Sequence, residues 1–161
     1  MKRTLAASCV MAVVLAPISL AQSKDFSGRW AVDAQKTAAA NSQPVGPAGD
    51  LTIAMDAKTM TVISTLRGTV TKNTYNLDGS ESRNASSVGM IDRLAAPAVI
   101  STAKWDGAVL VITVKLYGAD ATLRYSSDGT TLKSEFVNPQ TGSTVPRTII
   151  YKKVSSAQFA R

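Results

Sequence analysis

Residues 99–116 read VISTAKWDGAVLVITVKL. Two runs rich in Val, Ile and Thr flank Asp106-Gly107, a pair that tolerates the positive φ angles of a two-residue hairpin turn. With that pair as the turn, Trp105 opposes Ala108, Ala103 opposes Leu110 and Ser101 opposes Ile112. Directly opposed side chains share a face. One face then carries Val99, Ser101, Ala103, Trp105, Leu110, Ile112, Val114 and Leu116, and the other Thr102, Lys104, Thr113 and Lys115. The split is clean, and a one-residue slip would destroy it.

The same exercise works elsewhere. At Asp128-Gly129, Tyr125 opposes Leu132 and Leu123 opposes Ser134, with Ala121 and Phe136 on that face and Arg124, Lys133 and Glu135 outside. At Asp78-Gly79, Tyr75 opposes Ser82, and Lys72, Glu81 and Arg83 point out. A turn through residues 56–59 puts Ile53, Met55, Met60, Val62 and Leu66 inside. A turn over residues 138–143 sets Phe136 against Val145, with Arg147, Ile149 and Tyr151 facing in. Helical periodicity is confined to residues 34–41, inside a long loop spanning 32–50 that also holds Pro44, Gly46, Pro47 and Gly49.

These elements make an all-β chain of about ten antiparallel strands in up-and-down order. A flat sheet of that length exposes edges and tends to curl or close, so a single barrel is expected. A two-sheet sandwich would need long crossovers that mostly tight turns do not provide. The short turns gather at one end. There Gly28, Trp30 and Trp105 form the expected floor, and the long loops at 32–50 and 87–98 crown the open end.

The first residues lie outside this pattern. Lys2 and Arg3, an apolar run over 5–18 and Ser19-Leu20-Ala21 read as a secretory signal peptide cut after Ala21. The expected organisation is a leader over 1–21 and one domain over 22–161, exported to a periplasmic or extracellular space. Cys9 falls within the leader, so the mature 140 residues have neither Cys nor His, and stability must come from a core rather than disulfides. Without Lys2 and Arg3 the 18 basic residues become 16 against 11 acidic, a net charge of +5 scattered singly apart from Lys152-Lys153. A nucleic-acid binder would more often cluster its cations and interleave aromatics, so no nucleic-acid partner is expected. The mature chain holds no transmembrane run, and a monomer is expected.

Enzyme chemistry finds little footing. The usual general base and thiol nucleophile are missing, as is any His/Cys set for zinc, so no metal or cofactor is expected. Five acidic residues, Asp56, Asp78, Asp106, Asp120 and Asp128, sit at turns, where Asp is ordinarily structural. The inner face is more informative. Ser64, Thr71, Asn73, Ser82 and Asn84 point inward, with Ser64 opposite Asn73 and Asn73 opposite Asn84. They either satisfy one another and water or form the polar half of a cavity. The apolar half would be Ile53, Val62, Tyr75, Ile112, Leu123 and Phe136. Arg147, near Ser134 and Tyr151, could take a ligand carboxylate or phosphate at two points, or reach water at the rim. The candidate ligand-binding set is therefore Ser64, Asn73, Tyr75, Ser82, Asn84, Ile112, Leu123, Phe136, Arg147 and Tyr151. The apolar stretch 87–99 would fold over the mouth as a lid, or touch a membrane or partner.

The start DFSGRWAVD at 25–33, the KWDG hairpin at 104–107 and the final TIIYKK at 148–153 carry a resemblance. Together they resemble the calycin group of lipocalins and fatty-acid-binding proteins, and within it small secreted bacterial lipocalin-like proteins. The resemblance implies a lipocalin-like barrel of eight to ten strands binding a small apolar or amphipathic molecule. In lipocalins a basic side chain commonly stacks on the floor Trp. Ten strands suit the fatty-acid-binding branch, whose two-helix lid lies where residues 32–50 lie here, in a loop short for two helices. That branch holds a carboxylate with Arg-x-Tyr on the last strand. Arg147 and Tyr151 are four apart, so the clamp does not carry over. Avidin-like barrels also begin with Gly-x-Trp, but no biotin-site pattern is present. Three functions remain open: a small-molecule binder, a non-catalytic envelope interaction module with a filled barrel, and an isomerase- or cyclase-type barrel enzyme.

Overall fold

A computed structural model describes residues 24–85, 98–116, 118–142 and 144–155. The leader, positions 87–97 of the apolar loop and all but Ser155 of the C-terminal tail lie outside the described residues. The elements run β1 (Gly28–Val32), α1 (Ala34–Ala39), β2 (Asp50–Met55), β3 (Thr59–Leu66), β4 (Thr69–Asn76), β5 (Glu81–Asn84), β6 (Val99–Asp106), β7 (Val109–Leu116), β8 (Ala119–Ser127), β9 (Thr131–Val137), a 3-10 turn at Pro139–Thr141, and β10 (Arg147–Val154). All ten strands form one sheet in the order β4-β3-β2-β1-β10-β9-β8-β7-β6-β5. Each strand pairs with its sequence neighbours except β4 with β5, and β1 also pairs with β10, which leaves the ring closed but for that one seam.

Several registers differ from expectation by two residues. Asp106 pairs with Val109, so Gly107-Ala108 is the turn and Ala103 faces Ile112 rather than Leu110. Tyr125 faces Ser134 across a turn in which the Asp128 carboxylate accepts from the Thr130 and Thr131 N–H groups. Phe136 faces Arg147 rather than Val145. Ser64 faces Thr71 and Val62 faces Asn73, because Arg67 (φ 50°) and Gly68 (φ 82°) both take left-handed angles and make a two-residue turn. Side chains alternate with period two, so each two-residue shift leaves the inner face unchanged.

The ring is laced differently at one seam. No backbone ladder joins β4 to β5; polar side chains bridge them. The Asn84 Oδ1 accepts from the Thr74 N–H at 2.7 Å, and its Nδ2 donates to the Thr74 carbonyl at 3.1 Å. The Ser82 hydroxyl accepts from the Asn76 N–H at 2.7 Å, and Asn76 Nδ2 donates to the Glu81 carbonyl at 2.9 Å. The expected pairing of Asn73 with Asn84 is therefore replaced by a seam of side chain to backbone bonds, which satisfies strand groups that would otherwise go unpaired.

The floor is sealed by aromatics. Trp30 is 1% exposed, and its Nε1 donates to the Phe26 carbonyl at 2.9 Å. The Phe26 ring, fully buried, lies 5.5 Å from that of Trp105 and 6.4 Å from that of Tyr125. From below, the Lys153 ammonium sits 5.3 Å from the Trp30 ring centre, a cation over a π face. Gly28 makes this arrangement possible. Its φ is 136°, and a Cβ there would stand 3.0 Å from the Lys153 Cε. The Gly-x-Trp spacing thus leaves a cation room to lie under the indole.

Candidate binding site

Along the inner face, burial changes with height. Just above the floor, Met60, Ala103, Leu110, Ile112 and Leu132 are completely buried and fill the barrel with their own side chains. Ser64, Asn73, Val114, Leu123 and Phe136 lie on the same face but are only half-buried. The completely buried side chains are core, and Val114 and Leu123 pack against that core while keeping some exposure.

A short strap lies against β10 at the rim. Asp33 caps α1 by accepting from the Lys36 N–H. Past Val32, where the β1–β10 ladder ends, side chains continue it. Thr37 Oγ1 accepts from the Ile150 N–H at 3.0 Å and donates to its carbonyl at 3.2 Å. Asn41 accepts from the Thr148 N–H at 2.9 Å and donates to its carbonyl at 2.8 Å. Beyond Asn41 the loop is held by Arg147, whose Nη2 donates to the Gly46 and Pro47 carbonyls at 2.7 and 3.2 Å. Val45 and Ala48 pack against the core. Between strap and rim lies an open cleft of about 510 Å³ lined by Val32, Thr37, Ala38, Asn41, Val45 and Ile149.

The residues singled out from sequence fall into three groups. Ser64, Asn73, Leu123 and Phe136 lie half-buried on the inner face. Ile112 belongs to the filled lower half, while Ser82 and Asn84 are buried and spend their polar atoms on the β4 backbone. Arg147 is exposed at the rim and engaged with the strap. Tyr75 and Tyr151 are buried, which pushes each phenol up to about 12; for Tyr151 the Arg147 charge works against this and the Asp50 charge with it. Tyr125, buried between them, is raised further by burial and by its two phenol neighbours, while a hydrogen bond with Ser134 opposes the shift. All three phenols are neutral donors at ordinary pH.

Phe26, Thr37, Asn41, Ser101 and Lys153 contribute as well, although none belongs to the candidate set. Ser101 lies on the inner face as its alternation predicts; its hydroxyl is buried and has no hydrogen-bond partner among the described residues. The same residues bring together no cluster of three His, Cys, Asp or Glu side chains for a metal ion.

No protein-family model matches the chain, and no curated protein matches it. Solved structures do. A REP1-NXSQ fatty acid transporter superposes with a TM-score of 0.55 at 17% identity, over 80% of this chain and 96% of that one. The wild-type fluorescent protein UnaG gives 0.56 at 19%, over 80% and 97%. A Schistosoma mansoni fatty acid binding protein in complex with arachidonic acid gives 0.58 at 18%, over 81% and 96%. The likeness is one of fold: a nearly closed, calycin-like barrel of ten antiparallel strands.

Proposed function

We propose that this chain is an exported, non-catalytic binding protein that takes a small apolar or amphipathic molecule into the upper half of its barrel. The observation that carries the reading is the graded inner face. Apolar side chains at Val114, Leu123 and Phe136 keep some exposure, while Met60, Ala103, Leu110, Ile112 and Leu132 on the same face are completely buried. Burying that face against an apolar occupant gains about 25 cal/mol per Å² removed from water. The fatty-acid names of two structural neighbours agree with such an occupant. The expected signal peptide supplies the export half of the proposal.

Native mass spectrometry tests it, on protein purified gently from its own host and compared before and after organic extraction. A discrete, extractable added mass is the expected result. An apo mass, with no uptake of the neutral apolar dye Nile red, would sink the binding reading and favour a side-chain-filled interaction module. N-terminal sequencing of the secreted protein tests export; it should begin at Gln22.

A further inference from the structure

Three short turns, β4–β5, β6–β7 and β8–β9, each carry an Asp-Gly pair, at residues 78–79, 106–107 and 128–129. Such a pair is open to a spontaneous reaction, because glycine has no Cβ to obstruct ring closure. The glycine nitrogen attacks the carboxyl carbon of the aspartate side chain. The carboxyl, in its protonated form, loses its hydroxyl, which leaves with the amide proton as water, and a five-membered imide forms. Water then opens the ring at either carbonyl. One opening restores aspartate. The other leaves a β-linked residue, in which the chain runs through the former side chain and the former main-chain carbonyl is a free carboxylate. Only water is lost and regained.

The two reacting groups must be free to meet, so each hydrogen bond that holds one of them slows the reaction. At 128–129 both are held. The Asp128 carboxylate accepts from the Thr130 and Thr131 N–H groups at 2.9 and 2.7 Å, and the Gly129 N–H donates to Ser127 Oγ at 2.9 Å. At 78–79 one is held. The Asp78 carboxylate accepts from the Ser80 N–H at 2.9 Å, and a Cβ at Gly79 would stand 2.7 Å from the Lys104 Cε, so that side chain crowds the turn. At 106–107 neither is held by the backbone. Gly107 lies in the turn outside both strands, its N–H has no hydrogen-bond partner among the described residues, and nothing stands within 4 Å of where its Cβ would be. The Asp106 side chain is 73% exposed and meets only the Arg124 Nη2, at 3.5 Å, among the described residues.

We propose that Asp106-Gly107 is the site at which the folded protein converts to β-linked aspartate, with 78–79 slower and 128–129 slowest. The change falls on a sensitive hairpin. It lengthens the chain by one backbone atom between β6 and β7, and it removes the main-chain carbonyl of the residue that pairs with Val109. The preceding residue is Trp105, whose ring lies 5.5 Å from that of Phe26 in the floor.

The test is ageing of the purified, folded protein for weeks at neutral pH and body temperature, followed by trypsin and mass spectrometry with electron-transfer fragmentation, which separates β-linked from ordinary aspartate. Cleavage after lysine and arginine puts the three pairs on separate peptides, 73–83, 105–115 and 125–133. Peptide 105–115 should gain β-linked aspartate at least severalfold faster than 73–83, and 125–133 should gain the least. A parallel sample unfolded in guanidinium chloride should lose this order, with all three converting at similar rates, since every pair is then equally free. Conversion of 73–83 or 125–133 as fast as 105–115 in the folded protein would overturn the proposal. So would the same order in the unfolded sample, because the local sequence rather than the fold would then set it. Absence of conversion at 105–115 in the folded protein while the unfolded chain converts would overturn it too, by showing that the hairpin protects Asp106.

Discussion

Asn84 holds Thr74 as a neighbouring strand would. One side-chain amide takes the Thr74 N–H at 2.7 Å and reaches the Thr74 carbonyl at 3.1 Å. Asn41 does the same to Thr148 at 2.9 and 2.8 Å, on the other side of the molecule. A primary amide has the donor and acceptor of a peptide group, so it can complete a ladder where no strand is present. The first asparagine closes the wall and the second fixes the strap.

Asn84→Ala should therefore cost about 1–3 kcal/mol, because it leaves two strand groups of Thr74 without partners. The midpoint of urea unfolding should fall with little change in slope, and the Thr74 amide should exchange faster with solvent than those of β7 and β8. A midpoint equal to the parent's would mean that the seam does not bear on stability.

Asn41→Ala should act locally. Its cost in global stability is about 1 kcal/mol, but the strap over 41–48 should become a preferred site for limited proteolysis. Arg147→Met should add to this by releasing the Gly46 and Pro47 carbonyls. Cleavage confined to other loops in the double variant would contradict the tethering role.

Gly28→Ala should destabilise by about 1–3 kcal/mol, since a side chain at φ 136° is strained and its Cβ crowds the Lys153 stem. Lys153→Met should cost less, about 0.5–1 kcal/mol for an exposed cation over a ring. Both should alter Trp30 fluorescence. Unchanged emission in Lys153→Met would argue that the stacking is absent in solution.

The pH profile of stability should be a broad plateau with two shoulders. Asp128 is held down to about 2 by the Thr131 and Thr130 backbone N–H groups, and Asp56 and Asp78 are lowered by similar turn bonds. Depressed carboxylates contribute stability above their ordinary value of 3.8, and it is lost as pH falls toward 2. Tyr75 and Tyr151, raised to about 12, contribute stability that is whole below 10 and lost as pH rises from 10 to 12. With no His in the chain, no histidine step is expected between the shoulders. Thermal unfolding from pH 2 to 11 checks the profile. In the native protein, absorbance at 295 nm should show the buried phenols still un-ionised at pH 11.

Parity made the fold legible. The hairpin readings missed several pairings by two residues, yet Ser101, Ala103, Trp105, Leu110 and Ile112 kept their common face, because a strand repeats every two positions. The exact turn was less legible. Asp106 can stand inside a turn or end a strand, and only the twist of the assembled hairpin decides. The site was half legible. Alternation identifies Leu123, Phe136, Ser64 and Asn73 as inward, but the degree of burial comes from packing, and packing separates the half-buried Leu123 from Ile112, which stands directly opposite it. Asn84 illustrates the remaining difficulty. Its inward direction is written in the pattern, whereas its partner is a backbone whose ladder is missing, and an absence between two strands leaves no mark on either. Phe26 did leave one: a large aromatic four residues before Trp30, just outside the first strand.

The pairing of Arg29 with Val154 brings the first and last strands side by side above the floor. The barrel is in effect a loop of chain whose two ends meet, so the order in which its strands are synthesised is not dictated by its closure. A rearranged gene could join residue 155 to residue 24 through a short linker and begin instead at Gly79, in the turn beside the seam. There a new opening would interrupt no backbone ladder, and the side chains of Ser82 and Asn84 would still bring the edges together.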